Sequence, residues 1–235
     1  MTNEINTSFT GLHDPNLIGA VGHQFHDAEY VQGWADRFAP NPSRVQLFNA
    51  MVERIEAQPL PPGYSNHHIV ELGVGPGYLA LEILSRLTNV TYEGVDFSAP
   101  MIEIARARLN DYSDRVAFTR VDLTSQGWGA ELESQPSVIV STWALHDLGH
   151  PDHIQHVYSV AGQTLPSGGI LMNGDFVKPA GAKVAYEPGR VLITEHLAML
   201  DTAGFTDTEC LISLEEDAEN PTSANNYACA FGRIV

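Results

Sequence analysis

The 235-residue chain is 43% hydrophobic and 17% charged, which supplies ample apolar material for a buried core and is unlike the composition of a disordered protein. Its 29 acidic and 12 basic side chains give a formal charge of −17, which repels polyphosphates and disfavours nucleic acid as a partner. There is no apolar run of membrane-spanning length, Met1-Thr2-Asn3-Glu4 lacks the basic start of a secretory signal, and two cysteines are too few for a disulfide framework. A soluble, cytoplasmic chain with no membrane partner is therefore expected. Cys210 and Cys229 are both expected as small buried apolar residues.

Residues 1–20 show no sustained period and contain Gly11, Pro15 and Gly19, so an irregular stretch or a short docking segment, mobile without ligand, is expected. Tyr30, Trp34 and Phe38 recur every four positions, predicting a helix over 27–38 stopped by Pro40. Asn41-Pro42-Ser43 opens a second helix, with Val45, Phe48, Met51, Val52 and Ile55 on one stripe. The segment Pro59-Leu60-Pro61-Pro62-Gly63 joins this N-terminal part, residues 1–58, to the main domain, residues 59–235.

Beyond that joint, strands are expected at 68–72, 91–96, 116–121, 138–142 and 169–173. They alternate with helices at 77–87, 99–109 and 151–164. Such alternation means a doubly wound α/β fold with a parallel sheet. A helix at 191–202 is followed by strands near 206–213 and 227–234, whose loop connection adds an antiparallel edge and brings the sheet to seven mostly parallel strands.

The most specific signal is Val70-Glu71-Leu72-Gly73-Val74-Gly75-Pro76-Gly77, between the first strand and its helix. Glycines there allow a tight turn and a close approach of backbone to ligand, and the helix start offers unpaired N–H groups. The third glycine comes one residue too early for the dinucleotide fingerprint, since position 78 is Tyr78. Asp96 closes the second strand, where a carboxylate accepts two hydrogen bonds from ribose hydroxyls. Asp122 ends the third strand and could accept from an adenine amino group.

With Gly94-Val95-Asp96-Phe97-Ser98 and Met101, Val121-Asp122-Leu123, and Leu165-Pro166-Ser167-Gly168-Gly169, the chain over about 66–235 resembles the class I S-adenosylmethionine-dependent methyltransferases, a Rossmann-like fold. The resemblance implies S-adenosylmethionine as cofactor. Gly73, Gly75 and Gly77 would line its methionine part, with Glu71 beneath. Asp96 would hold the ribose, Phe97 would contact adenine, and Asp122 would bind the adenine amino group. Met101, Leu123 and Ser141 complete the expected cofactor contacts, and segments outside the sheet, here the N-terminal helices and the loop 177–189, would form the lid.

Methyl transfer needs alignment, a nucleophile lone pair and exclusion of water, and a hydroxyl acceptor gains from a nearby general base. His146, in Ser141-Thr142-Trp143-Ala144-Leu145-His146-Asp147, follows the fourth strand at the edge of the cleft and is the first candidate for that base. The family often carries two consecutive histidines there, and Asp147 stands in place of the second. Asp175, after the fifth strand, either faces the acceptor or caps the loop. His150, His153 and His156 are expected on a solvated helix face. No metal is expected, because Asp175-Phe176 stands where the cation-dependent catechol methyltransferases carry Asp-Asn.

Phe25, Tyr30, Trp34 and Phe38 supply aromatic surface, and His23 and His26 supply polar atoms. If these are more than a core stripe, His26, Tyr30, Trp34 and Trp143 would contact a flat, partly polar small molecule. The leading expectation is methylation of a small aromatic or heteroaromatic acceptor. Oxygen, nitrogen and sulfur methyltransferases share these motifs, so the acceptor atom stays open. A protein or peptide acceptor and a non-catalytic cofactor-binding module are the alternatives, and no sequence feature sets an oligomeric state. RNA is disfavoured further because Ser141-Thr142-Trp143-Ala144 replaces the Asn/Asp-Pro-Pro-aromatic tetrapeptide of amino-directed nucleic-acid methyltransferases.

Overall fold

The computed structural model describes residues 24–37, 39–183, 185–214 and 226–235, so the expectations for residues 1–20, His23 and Phe38 lie outside the described residues. Along β1 (His67–Leu72) successive side chains face opposite sides, so Ile69 enters one core while Val70 and Leu72 enter the other. β2 (Val90–Asp96), β3 (Val116–Arg120), β4 (Val138–Thr142) and β5 (Ile170–Phe176) join β1 in parallel pairing. β7 (Tyr227–Arg233) pairs antiparallel with β5, and β6 (Thr206–Leu214) antiparallel with β7, in the order β3-β2-β1-β4-β5-β7-β6.

Among the described residues the α-helices are α1 (Ala28–Arg37), which packs on α4, and α2 (Pro42–Glu56), α3 (Tyr78–Arg86), α4 (Ala99–Arg108), α5 (Pro151–Thr164) and α6 (Ile193–Thr202), which cover the two faces of the sheet. One core joins α2 and α3 to Ile69, Val138, Met172 and Phe231, and the other joins α5 and α6 to Val70, Ile139 and Leu171. No helix among the described residues is long and apolar enough to cross a membrane.

α2 begins where Asn41 accepts the Arg44 N–H through its side chain at 2.9 Å and Pro42 occupies the first turn. Its buried arc runs through Arg44, Leu47, Phe48, Met51, Val52 and Ile55, each large apolar member contributing about 1.5–3 kcal/mol by burial. Val45, expected on that stripe, lies just past the edge of the arc and is 41% exposed. Leu47 sits so close to β5 that a Cβ on Gly174 would overlap its side chain. This contact pins α2 to the sheet beside the carboxyl end of β5.

Three other expectations are corrected. The fifth strand continues past Asn173 to Phe176 because Asp175 and Phe176 pair with Ala228 and Tyr227 of β7, so Asp175 lies inside a strand and not in the loop that follows. The third strand stops at Arg120, leaving Asp122 in the following turn. Cys229 is buried, but Cys210 points outward from the edge strand β6 and is exposed. Strand order reverses between β1 and β4, the switch point where an open α/β sheet receives ligands.

Candidate active site

The segments after β1 and β4 face each other across the switch point. Gly73 (φ 71°) and Gly75 (φ 49°) take left-handed backbone, and a Cβ on Gly73 would overlap that of Ala144. The N–H groups of Gly73 and Val74 both donate to Val95 O, at 2.8 and 2.9 Å, which ties the loop to β2. Gly77 (φ 79°) stands at the N-cap of α3 and has no side chain to satisfy the helix's first N–H groups.

Asp96, at the end of β2, accepts the N–H of Gly75 and of Ser98, each at 2.9 Å, and that of Phe97. Burial pushes its carboxyl up to about 6 despite these three donors. Glu71 lies below the loop, where Tyr92 donates its hydroxyl to Oε2 at 2.6 Å. Burial, reinforced by the charge of Asp96, pushes Glu71 up to about 8.

A cleft of about 740 Å³, counting its open mouth, is lined by Gly73, Gly75, Asp96 and Asp122, with Phe97, Met101 and Leu123 as apolar walls. The Asp122 carboxylate accepts from Thr124 N at 2.9 Å and from its hydroxyl at 2.7 Å. Ser141 does not line this cleft: its hydroxyl donates to Leu72 O at 2.8 Å, clamping β1 to β4. Phe25 and Trp34 close the cleft from the N-terminal side, Phe25 edge-on to Trp34 at 5.7 Å and to Phe97 at 6.3 Å between ring centroids. Tyr30 and His26 sit one layer back, Tyr30 edge-on to Phe25 and His26 edge-on to Phe97.

A second cavity opens on the other side of Gly73 and Gly75, with Glu71 at its base and Arg44, Phe48 and Trp143 as walls. Trp143 is a non-glycine residue at φ 50°, a conformation that costs on the order of 1–3 kcal/mol and collects at ligand sites. The Arg44 guanidinium lies 4.5 Å from its ring centroid. Sequence reasoning missed Arg44, because a lone arginine in an amphipathic helix resembles any solvated cation.

His146 and Asp175, singled out separately, are brought together. The turn Leu145–Leu148 after β4 carries the imidazole to β5, where Nδ1 lies 2.7 Å from Asp175 Oδ1 and the His146 N–H donates to Oδ2 at 3.0 Å. Both residues are buried. His146 Nε2 lies 3.2 Å from Asp147 Oδ1, and Asp147 lines the main cleft. Burial works against the imidazolium, yet Asp147 and Asp175 outweigh it and hold His146 above the ordinary imidazole value. Burial likewise disfavours the Asp175 carboxylate, but the facing His146 charge and hydrogen bond keep it below the usual range.

Behind this pair, Tyr158 bridges His196 Nδ1 at 2.8 Å and Asn173 Nδ2 at 3.0 Å, and burial keeps His196 neutral. The histidines of α5 are not simply a solvated face. His150 caps the helix and is exposed, while His153 Nδ1 and His156 Nε2 lie within bonding distance of the carbonyls of Leu148 and Ser125. Among the described residues no cluster of three metal-ligating side chains occurs.

Fold and cleft together define a doubly wound domain with a cleft at its switch point, lined by a glycine loop and a strand-end carboxylate. A family model described as a methyltransferase domain matches residues 69–169. The chain is 30% identical over 164 residues to the hybrid PKS-NRPS synthetase fsa1 of Fusarium sp. (strain FN080326), covering 65% of this chain and 4% of that protein. Equisetin synthetase eqxS of Fusarium heterosporum matches with the same identity and coverage. The chain thus spans about 4% of the length of these curated relatives.

Among solved structures, CurJ carbon methyltransferase superposes with a TM-score of 0.65 at 18% identity, over 94% of this chain and 61% of that one. The N-methyltransferase NodS from Bradyrhizobium japonicum WM9, in complex with S-adenosyl-l-homocysteine, superposes with a TM-score of 0.63 at 15% identity, over 84% of this chain and 90% of that one. The domain match and the shared fold support a class I S-adenosylmethionine-dependent methyltransferase, with S-adenosylmethionine as cofactor.

Proposed function

We propose that this methyltransferase acts on a small, flat, conjugated molecule whose accepting atom sheds a proton on methylation, a hydroxyl or an activated carbon, with His146 as the base and Asp175 as its orienting partner. The observation that carries this reading is the 2.7 Å contact between His146 Nδ1 and Asp175 Oδ1, both buried. That contact keeps Nδ1 protonated and turns Nε2 toward Asp147 on the cleft wall. An acceptor X–H taking the place of Asp147 would hand its proton to Nε2, leaving the electron pair on X to form the new bond. The cofactor, when bound, supplies a methyl group on a sulfonium whose C–S electrons stay with sulfur.

The same reading assigns Gly73, Gly75, Gly77, Asp96, Phe97, Met101, Asp122 and Leu123 to the cofactor. Glu71, largely protonated at neutral pH, and Arg44 leave the second cavity electropositive, which suits the carboxylate of the methionine end. Ser141 would act only through the β1–β4 clamp. Residues 1–58 would form the lid, with α2 as its anchor and Phe25 and Trp34 closing on the cleft, while His26 and Tyr30 support them and Trp143 faces the acceptor side. A carbon acceptor gains support from the CurJ likeness and from the polyketide synthetases among the relatives. The charge of −17 favours a small-molecule partner over nucleic acid, and a chain with only two cysteines suits the reducing cytoplasm.

The test is transfer of labelled methyl to a panel containing acetoacetyl-N-acetylcysteamine thioester, phenols, amines and thiols. Turnover confined to the thioester and the phenols is expected. Turnover on amines alone, undiminished in His146→Gln, would overturn the reading.

A further inference from the structure

After β5 the chain leaves the sheet, with Val177 N donating to Asn226 O and Lys178 N to Val191 O, each at 2.9 Å. Before the second anchor, Gly189 passes against the turn that carries His146. A Cβ on Gly189 would overlap the His146 carbonyl, so only a glycine lets the strand of chain pass there. The next residue, Arg190, is thereby laid over Phe176, its guanidinium carbon 4.3 Å from the ring centroid, and Phe176 is itself edge-on to the His146 imidazole at 4.9 Å between centroids. Glu187 Oε2 holds Arg190 Nε at 2.6 Å, and the arginine side chain is only 10% exposed.

Resting on the reading of His146 as the base, we propose that Arg190 is a positioning residue for the methyl-transfer reaction: its fixed positive charge, held behind Phe176, keeps the His146 imidazole able to accept a proton from the acceptor. The charge arrangement supplies the reason. His146 is faced by Asp147 from its own turn, by Asp175 from β5 and by Arg190 from the loop, with neutral His196 on α6 behind it. Tyr30 of α1 faces Asp147, and Glu187 is engaged with Arg190.

The two carboxylates favour the imidazolium more than burial disfavours it, and a charged imidazole accepts no proton. Arg190 opposes them from across the Phe176 ring, and the burial of His146 leaves that opposition weakly screened. A guanidinium suits the task because it stays charged at any working pH and stacks flat on an aromatic face.

The test follows the His146 ring by NMR titration in the wild type, in Arg190→Met, which keeps the apolar stem on Phe176, and in Arg190→Lys, which keeps the charge. His146→Gln identifies the signal. The His146 midpoint should rise by on the order of 0.5 to 1 pH unit in the Met variant and stay near wild type in the Lys variant. In methyl transfer to acetoacetyl-N-acetylcysteamine thioester, the acid limb of the rate profile should move up by the same amount, with the plateau at high pH retained.

An unmoved midpoint in a folded Met variant, or an equal shift in both variants, would overturn the proposal. Undiminished transfer by His146→Gln would instead sink the base reading and leave the titration result standing.

Discussion

The two ends of the site are built from different materials. The glycine-loop side is made of backbone: Gly73 and Gly75 in left-handed conformations, N–H groups tied to Val95, and Asp96 held by three backbone donors. All of this lies within one strand-turn-helix and the neighbouring strand end, so the chemistry is fixed by local geometry and reads as a contiguous motif. The β4–β5 side is made of side chains that meet across 29 residues, His146 from a turn and Asp175 from a strand, and their relation exists only once the sheet has formed. On the proposed reading, the cofactor side is held in shape by its backbone, whereas the proton-handling side depends on packing that keeps His146 and Asp175 buried and in register.

The largest expected effect would break the side-chain half alone. Asp175→Asn should lower methyl transfer by about 10²–10⁴-fold while leaving affinity for S-adenosylhomocysteine within a factor of two or so, as steady-state rates and calorimetry would measure. A second effect concerns Glu71. With a folded pKa raised to about 8 from 4.5, it keeps a proton in the folded chain that the unfolded chain releases, so stability falls as pH rises between those values. Denaturant melts of Glu71→Gln against wild type should show the variant gaining relative stability from pH 5 to pH 8, by roughly a few kcal/mol in all.

On the backbone half, Asp96→Ala should weaken S-adenosylmethionine binding by on the order of tenfold or more, about 1.4 kcal/mol, because it removes both the proposed ligand contact and the acceptor that shapes the Gly75 turn. The smallest effect is expected from Asp122→Asn, whose carboxylate is already engaged by Thr124. A loss of about two- to fivefold in cofactor affinity, read by the same titration, would sharpen the contrast with Asp96.

What was legible in the sequence follows the same division. Alternation of strands and helices, the antiparallel edge and the acid ending β2 are local patterns, and each appears where expected. The misplacement of Asp175 arose because β5 is lengthened by pairing with β7, some fifty residues later in the chain, which no window around position 175 contains. Val45 and Leu47 both satisfy helical spacing, and which of them is buried is decided by the bare backbone of Gly174 across the contact. Cys210 has the composition of a core residue but stands on an edge strand. Arg190 gives no sequence signal, since its role depends on Gly189 passing beneath the His146 carbonyl and on Phe176 lying between two charges.

The most direct test of the central claim is a paired measurement on wild type and Asp175→Asn: methyl transfer to acetoacetyl-N-acetylcysteamine thioester and to a phenol, with S-adenosylhomocysteine affinity determined on the same samples. Transfer reduced at least a hundredfold at unchanged affinity is the predicted result. Equal transfer by the two proteins, or a loss of affinity that accounts for the whole loss of rate, would contradict the division of the site into a backbone-built cofactor half and a side-chain-built proton-handling half.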